Sequence, residues 1–218
     1  MVRVTSRSPA PASLSDEDLV RATRLLARRD PVLGAVIRKY RSRTPLEASK
    51  MDPFPALVRT ITAQQISTKA AATIHGRLVA LMPHGVEPDA LLALSDDQLR
   101  QAGLSRQKTA YVRDLAARAA SGALPLHTLH ELTDEEVIDA IVTVKGLGRW
   151  SAEMFLMFRL RRPDVLPVDD LGIVTAITRL YGLRKKPKPD RIRKIGEAWR
   201  PYRTVACWYL WRSLDNQP

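Results

Sequence analysis

Apolar residues recur along this chain at the three- and four-residue spacing of amphipathic helices. In the first 81 residues, four such runs each follow a residue typical of a helix start, namely Ser15, Asp30, Asp52 and Ser67. Pro31 and Pro53 then fall at the first helical position, where proline is tolerated best. The pattern therefore predicts four helices in this part of the chain.

The same spacing continues beyond residue 81. Ser95 and Gln98 predict the cap of a short helix, and a helix over residues 106–120 is ended by Gly122. Thr133 and Glu136 form a capping box at the start of the next helix. The helix that follows it has a predicted apolar stripe of Trp150, Met154, Met157 and Phe158.

Three further helices are predicted, over residues 171–180, around 192–199 and from Pro201 onward. In the last of them, Thr204, Trp208 and Trp211 share a face, and Trp208 is assigned to the core. No segment shows the sustained alternation of a strand. We therefore expect an all-α fold with short loops.

A Gly-Leu-Gly turn joins two of these helices at residues 145–149. Gly146 and Gly148 lack a Cβ, so they permit positive φ and let a bulky ligand approach the backbone. The second helix begins there, and its unpaired N–H groups and dipole suit a phosphate oxygen. The stretch 99–116 loosely echoes 141–156, which predicts a second, degenerate hairpin on the other side of the same ligand.

The chain of 218 residues is strongly basic: 35 Lys and Arg against 23 Asp and Glu give a formal charge of +12. A polyanion is the expected partner, nucleic acid before an anionic membrane surface, although high charge also keeps a protein soluble. The basic clusters are Arg38–Arg43, Arg159–Arg162 and Arg184–Lys194. Each could extend a binding footprint, or be a solvated face.

The cysteine content and the N-terminus restrict the class further. Cys207 is the one cysteine, which excludes an intrachain disulfide and an all-cysteine metal or iron–sulfur site. Residues 1–13 are rich in Ser, Pro, Ala and Arg and are predicted to be a disordered tail. No run has signal-peptide or membrane-spanning character, so we expect a cytoplasmic, nucleoid-associated protein without a membrane partner.

The ordered set Gly146, Gly148, Trp150, Pro167 and Asp170 resembles the helix-hairpin-helix, Gly/Pro/Asp superfamily of DNA glycosylases. The sequences GLGRWSAE and LPVDD are most similar to its 3-methyladenine DNA glycosylase II, or alkylpurine glycosylase, branch. The resemblance implies one domain over residues 14–218, built of two interleaved helical subdomains with a cleft between them. The N- and C-terminal helices would form one subdomain and the middle helices the other.

The activity implied is that of a monofunctional DNA glycosylase. Such an enzyme flips alkylated purines such as 3-methyladenine and 7-methylguanine out of duplex DNA and hydrolyses their glycosidic bond, which starts base excision repair. Asp170 would be the catalytic carboxylate, an N-cap that stabilises the charged sugar and orients water. A cationic purine needs no added proton, so one carboxylate suffices. A plain N-cap role, and competition from Asp169, remain alternatives.

The resemblance also assigns the other site residues. Trp150, where bifunctional relatives carry a lysine, would line the base pocket with Met154 and Trp211, although core packing is the alternative for these side chains. Gln65 aligns with the residue that fills the gap left by the flipped nucleotide, in place of the usual apolar wedge; a helix-junction role is the alternative. Phosphate would meet the N–H groups of Gly146, Gly148 and Ser151.

No cofactor is expected to be required. A structural Na⁺ or K⁺ held by the backbone carbonyls of Val142, Val144 and Leu147 is a further implication of the resemblance. The expected partner is double-stranded DNA, bound by a monomer. Two rival interpretations stay open, namely a glycosylase for oxidised, mismatched or deaminated bases, and a helix-hairpin-helix binding module without activity.

Overall fold

The computed structural model describes residues 10–40, 46 and 51–215. Over these residues the regular elements are helices, and the structure contains no strand. The prediction of an all-α fold is therefore confirmed. The α-helices are α1 Asp16–Arg29, α2 Pro31–Lys39, α3 Pro53–Ala63, α4 Thr68–Ala80, α5 Pro88–Ala93, α6 Asp96–Gln101, α7 Arg106–Ala120, α8 Asp134–Val142, α9 Arg149–Phe158, α10 Leu171–Leu180, α11 Pro189–Gly196 and α12 Arg203–Arg212.

The helix starts follow the capping chemistry of the sequence. Ser15, Ser95 and Thr133 each form a capping box with the residue three positions later. Asp30 caps α2 through two backbone N–H groups, with Pro31 at the first helical position. The short helix α5 was not predicted, because the Glu87 side chain at its N-cap accepts no backbone N–H and the apolar run of this helix is only a few residues long.

The chain divides into two compact units. We call residues 51–155 the middle unit, and residues 11–40 with 156–215 the terminal unit. In the middle unit, α7 packs against α3, α5 and α6, and α3 packs against α4. The predicted stripe of α3 is correct, since Phe54, Leu57, Val58 and Ile61 are all buried.

The terminal unit is organised around α12, which packs against α1, α2 and α10. Seven consecutive residues of α12, from Thr204 to Leu210, are buried, as is typical of a central helix. Trp208 is among them, as predicted. None of the helices in the described part of the chain is long and apolar enough to cross a bilayer.

Two predictions about local structure need correction. Residues 1–9 of the predicted tail lie outside the described residues, but Ser13 donates from its hydroxyl to the Leu160 carbonyl at 2.8 Å, and the Pro11 carbonyl accepts from the Arg162 guanidinium. Ordered contacts therefore begin before residue 14. In α9, Trp150 and Phe158 are 47% and 40% exposed, so these two members of the predicted apolar stripe do not face the interior, whereas Met157 does. The buried residues of α9 are Ser151, Ala152, Glu153, Phe155, Leu156 and Met157.

Candidate active site and nucleic-acid interface

Asp170 lies at the N-cap of α10, as the sequence predicted. Its Oδ1 accepts the N–H of Ile173 at 2.8 Å and the indole N–H of Trp211 at 2.9 Å. Its own N–H donates to the Pro167 carbonyl at 3.1 Å, which closes the turn before the helix. The carboxylate is only 9% exposed and is held by the positive end of a helix, a setting that suits a fixed negative charge.

Gly172 makes room for the indole that reaches this carboxylate. A Cβ at Gly172 would lie 2.8 Å from Trp211 Cδ1, 2.9 Å from its Nε1 and 3.1 Å from Asp170 Oδ1. Any side chain there would therefore push Trp211 away from the carboxylate. The ring of Trp211 also stacks on Phe158, with centroids 5.8 Å apart and planes inclined by 28°.

Two parts of this arrangement were not predicted from the sequence. Trp211 was expected in a base pocket but not in a hydrogen bond to Asp170, and Phe158 was expected only as part of the apolar stripe of α9. The sequence contained one sign that another group approaches the start of α10. Gly172 lies two residues after Asp170 in the first turn of this helix, and glycine is a poor helix former. That glycine marks a close approach by another group.

Trp150 and Met154 lie in the middle unit, on α9. With Phe158 they follow one another at intervals of four residues, which places them on one face of this helix. Trp150 is largely exposed and Met154 is partly exposed, so core packing does not account for Trp150. Their role in a base pocket with Trp211 stays a prediction.

Of the two glycines in the hairpin between α8 and α9, Gly146 has the expected positive φ and Gly148 does not. Gly146 adopts a φ of 82°, whereas Gly148 is not among the positive-φ residues. A Cβ at Gly146 would also lie 2.1 Å from the Tyr111 ring, while one at Gly148 would meet no atom within 4 Å. Gly146 is therefore needed for the fold, and Gly148 leaves open space beside the backbone.

Helix α9 begins directly after Gly148. The first bond of the helix runs from the Ala152 N–H to the Gly148 carbonyl at 3.1 Å, so the N–H groups of Gly148 and Ser151 have no acceptor within α9. The Ser151 side chain is buried, so a ligand at this end of α9 would meet the backbone N–H of Ser151 and not its hydroxyl. Arg149 is held by Glu135, with guanidinium–carboxylate distances of 2.7 and 3.1 Å.

Gln65 occupies the turn between α3 and α4 and is exposed. Its φ of 57° places it in the left-handed region, which non-glycine residues rarely adopt. The neighbouring Gln64 donates from its side-chain amide to the Gly146 carbonyl at 2.8 Å, as the helix-junction alternative expects of a glutamine side chain in this turn. The turn with Gln65 and the hairpin are thus directly joined within the middle unit.

The echo of the hairpin corresponds to a second hairpin in the backbone. Helices α6 and α7 are joined through Gly103, whose φ is 110°, and Ser105 caps α7. A Cβ at Gly103 would lie 2.9 Å from the Ile74 side chain, so this hairpin packs against α4. The predicted second helix-hairpin-helix geometry is present; its contact with a ligand stays a prediction.

The three basic clusters have different environments. Arg38 and Lys39 end α2, and the rest of that cluster lies outside the described residues. In the second cluster, Arg161 pairs with Asp16 at 3.1 Å and Arg162 is 1% exposed, so these two serve the fold. In Arg184–Lys194 every Lys and Arg is exposed. This cluster keeps its charge at the surface.

The comparison with protein families defines the class. The family described as HhH-GPD superfamily base excision DNA repair protein matches residues 58–201. This match spans both hairpins, α9, the Pro167–Asp170 turn and α10. The chain belongs to this superfamily, as the sequence motif predicted.

Individual relatives place the chain more closely. DNA-3-methyladenine glycosylase 1 of Schizosaccharomyces pombe is 34% identical over 184 residues, covering 83% of this chain and 80% of the yeast protein. The structure of an S. pombe 3-methyladenine DNA glycosylase in complex with abasic DNA aligns with a TM-score of 0.78 at 30% identity, covering 91% of this chain and 99% of that one. The DNA-3-methyladenine glycosidase of Bacillus halodurans aligns with a TM-score of 0.78 at 36% identity, covering 89% of each chain.

Proposed function

We propose that this chain is a monofunctional DNA glycosylase that removes alkylated purines from duplex DNA. The observation that carries the proposal is the buried Asp170 carboxylate, fixed at the start of α10 by one backbone N–H and one indole N–H. Relatives named 3-methyladenine DNA glycosylases supply the substrate class. The activity would begin base excision repair at the DNA of the nucleoid.

The chemistry follows from one fixed negative charge. Purines alkylated at N3 or N7 are cationic, so the electron pair of the C1′–N bond can leave with the base without added acid. The sugar left behind carries positive charge, which the Asp170 carboxylate stabilises electrostatically. Water then adds to C1′ and loses a proton, which gives an abasic site and the free base.

Trp150 supports a hydrolase without lyase activity. At this position bifunctional members of the superfamily carry a lysine that attacks the sugar, and an indole has no such amine. The exposed ring of Trp150 suits the face of a cationic base. We assign Trp150, Met154 and Trp211 to the base pocket, and the hydrogen bond to Asp170 gives Trp211 a second role as a positioning residue.

The hairpin supplies the DNA grip in this proposal. The N–H groups of Gly146, Gly148 and Ser151 would face a phosphate, and Gln65 would fill the gap left by the flipped nucleotide. The carbonyl oxygens of Val142, Val144 and Leu147 are the hard donors that Na⁺ or K⁺ prefers. A monovalent cation bound there would add positive charge beside the phosphate. The proposed partner is double-stranded DNA, bound by a monomer.

A panel of duplexes that differ in one base tests the function. We expect release of 7-methylguanine and 3-methyladenine, and no release of 8-oxoguanine or uracil under the same conditions. The strand should break only after alkali, and borohydride should trap no covalent enzyme–DNA adduct. Equal release of 8-oxoguanine would favour the oxidised-base rival. Tight duplex binding with no base release would favour the inactive binding module.

A further inference from the structure

Helix α7 contacts both parts of the middle unit that the proposed function assigns to DNA. These are the turn of residues 64–67, which carries Gln65, and the hairpin of residues 145–148. Helix α7 lies outside both segments and is separated from each of them in the sequence. Its contacts with them are made by side chains of its first three turns.

Lys108 holds the turn. Its ammonium donates to the carbonyls of Thr62 and Gln64 at 2.8 and 2.7 Å. These carbonyls lie at the C-terminal end of α3, where the helix leaves its last acceptors without intrahelical donors. They immediately precede Gln65, whose left-handed φ of 57° must be maintained by its surroundings. A cation at a helix C-terminus is also favoured by the helix dipole.

Tyr111 and Asp114 hold the hairpin. The Tyr111 ring fills the space where Gly146 would carry a Cβ, and its hydroxyl is 2.6 Å from the Gln107 amide of the same helix. Asp114 accepts the N–H of Lys145 at 2.9 Å and is itself held by Arg118 at 2.9 Å. Two successive residues of the hairpin are therefore fixed to α7.

Gln64 closes the connection between the two parts. Its carbonyl accepts from Lys108, and its side-chain amide donates to the Gly146 carbonyl at 2.8 Å. The turn and the hairpin therefore contact each other directly and share α7 as a common support. If the turn moved without the hairpin, the charge-assisted hydrogen bonds of Lys108 or the hydrogen bond from the Gln64 side-chain amide would break.

We infer that Lys108 and Gln64 are positioning residues that fix Gln65 relative to the phosphate-binding hairpin. This inference rests on the proposed function, because it takes Gln65 as the gap-filling residue. Gripping the phosphate sets where the duplex lies, and the fixed turn then places Gln65 at the vacated base position. Phosphate binding by the hairpin and insertion of Gln65 therefore occur together, and Gln65 does not need a separate loop movement to reach the base position.

The test compares Lys108→Met with wild type on two kinds of DNA. The first is an intact duplex with 2-aminopurine opposite a 7-methylguanine; the second has the same lesion in a single strand, where no stacked gap must be filled. We expect the variant to bind undamaged duplex within about twofold of wild type, to lose most of the 2-aminopurine fluorescence increase, and to excise from the duplex about tenfold more slowly. Excision from the single strand should match wild type. Lys108→Arg, which keeps donors and charge, should restore part of the duplex rate.

A matched control separates positioning from charge. Lys69 is exposed at the start of α4 in the same unit, and no described residue accepts a hydrogen bond from its ammonium. Lys69→Met removes the same charge and should leave the fluorescence change intact. Equal loss in Lys69→Met and Lys108→Met would overturn the inference, as would equal loss of excision from duplex and single strand in Lys108→Met.

A second variant covers a failure of Lys108→Met to fold. Gln64 is only partly buried, and Gln64→Met removes its bond to Gly146 while α7 still holds both parts. We expect a smaller loss of the fluorescence increase than in Lys108→Met. Excision from the duplex should slow by about threefold, and excision from the single strand should not change. A wild-type response in Gln64→Met would overturn its positioning role. If wild type releases no base, the proposed function fails, whereas the fluorescence change on binding still tests the connection.

Discussion

Two aspartates in the terminal unit are alike in their local setting and differ in their partners. Asp30 caps α2 and Asp170 caps α10, and they are 7% and 9% exposed. Each accepts backbone N–H groups from the first turn of its helix and one indole N–H. Burial and capping therefore do not distinguish these two carboxylates.

The indoles make the difference. Asp30 uses both oxygens: Oδ1 accepts from two backbone N–H groups, while Oδ2 accepts from Trp199 at 2.8 Å and from the Tyr181 hydroxyl. Trp199 is fully buried, so this cluster is part of the interior. At Asp170, Oδ1 accepts from the Ile173 N–H and from the Trp211 indole, and Trp211 stacks on the exposed Phe158. Asp30 therefore belongs to a cluster around a fully buried indole, whereas the indole that binds Asp170 stacks on an exposed ring.

The largest effect is expected from Asp170→Asn. Asparagine caps helices as well as aspartate does, so thermal unfolding should shift little. Loss of the negative charge should lower single-turnover release of 7-methylguanine by about 10²–10³-fold or more, the scale set by removing one electrostatic stabiliser of a transition state. Binding to duplex with an abasic site should stay within about threefold.

Asp169→Asn is the matched control for this variant. Asp169 precedes Asp170 directly and is exposed, and the same charge is removed one residue away. We expect near wild-type excision. If Asp169→Asn loses excision and Asp170→Asn does not, the assignment of the catalytic carboxylate is reversed.

Asp30→Ala should give the next largest effect, on stability rather than chemistry. It removes the cap of α2 and leaves the buried Trp199 N–H and the hydroxyl of the partly buried Tyr181 without this acceptor. We expect a loss of about 3 kcal/mol in the free energy of unfolding, or roughly 6–12 °C in Tm. At a temperature where the variant is folded, excision per folded molecule should stay within about threefold, as measured by active-site titration with single-turnover kinetics.

Asp190→Ala serves as the control, since Asp190 is 96% exposed at its side chain and pairs only with Arg193 among the described residues. Its Tm should change by about 1 °C or less. A loss of excision in Asp30→Ala as deep as that in Asp170→Asn would contradict the division of roles. So would a Tm close to that of wild type.

The contrast between the two caps also shows what the sequence could and could not predict. Helix starts depend on local chemistry, so Ser15, Asp30, Thr133 and Asp170 were correctly identified as caps. The pairing of each aspartate with its tryptophan joins residues far apart in the chain, and helical spacing carries no information about it. Trp208 was correctly assigned to the core, whereas the hydrogen bonds of Trp199 to Asp30 and of Trp211 to Asp170 are seen only in the packed structure.

The hairpin region shows the same limit. The ordered glycines, Pro167 and Asp170 led to the correct superfamily, because a turn with the positive φ of Gly146 requires a particular residue type. The support from α7 could not be predicted, since Lys108 and Asp114 look like solvated charges on an amphipathic helix. Trp150 and Phe158 continue the apolar spacing of α9 in the sequence, but both side chains are exposed, and helical spacing alone does not show which side of a helix is buried.

The smallest expected effect is a change in pH dependence in Tyr181→Phe. Tyr181 follows α10, the helix that Asp170 caps, and donates to Asp30. Burial, and then the hydrogen bond and charge of Asp30, raise the pKa of the Tyr181 hydroxyl well above its usual range. Up to about pH 10 both folded and unfolded states keep this proton, so the stability from Tyr181 is fully present. Above that pH the unfolded state loses the proton first, and wild-type stability falls by up to about 1.4 kcal/mol per pH unit from this group.

Urea unfolding at several pH values between 8 and 11 measures this. At pH 8 the variant should be less stable by about 1–2 kcal/mol, because one hydrogen bond to a carboxylate is lost. The difference should narrow above pH 10 as wild type loses the contribution of Tyr181. Burial also raises the pKa of Tyr209, but that contribution is common to both proteins and cancels. A difference that stays constant across this range would mean that the Tyr181 hydroxyl is not held protonated by Asp30, and the interior role of the Asp30 cluster would then need another basis.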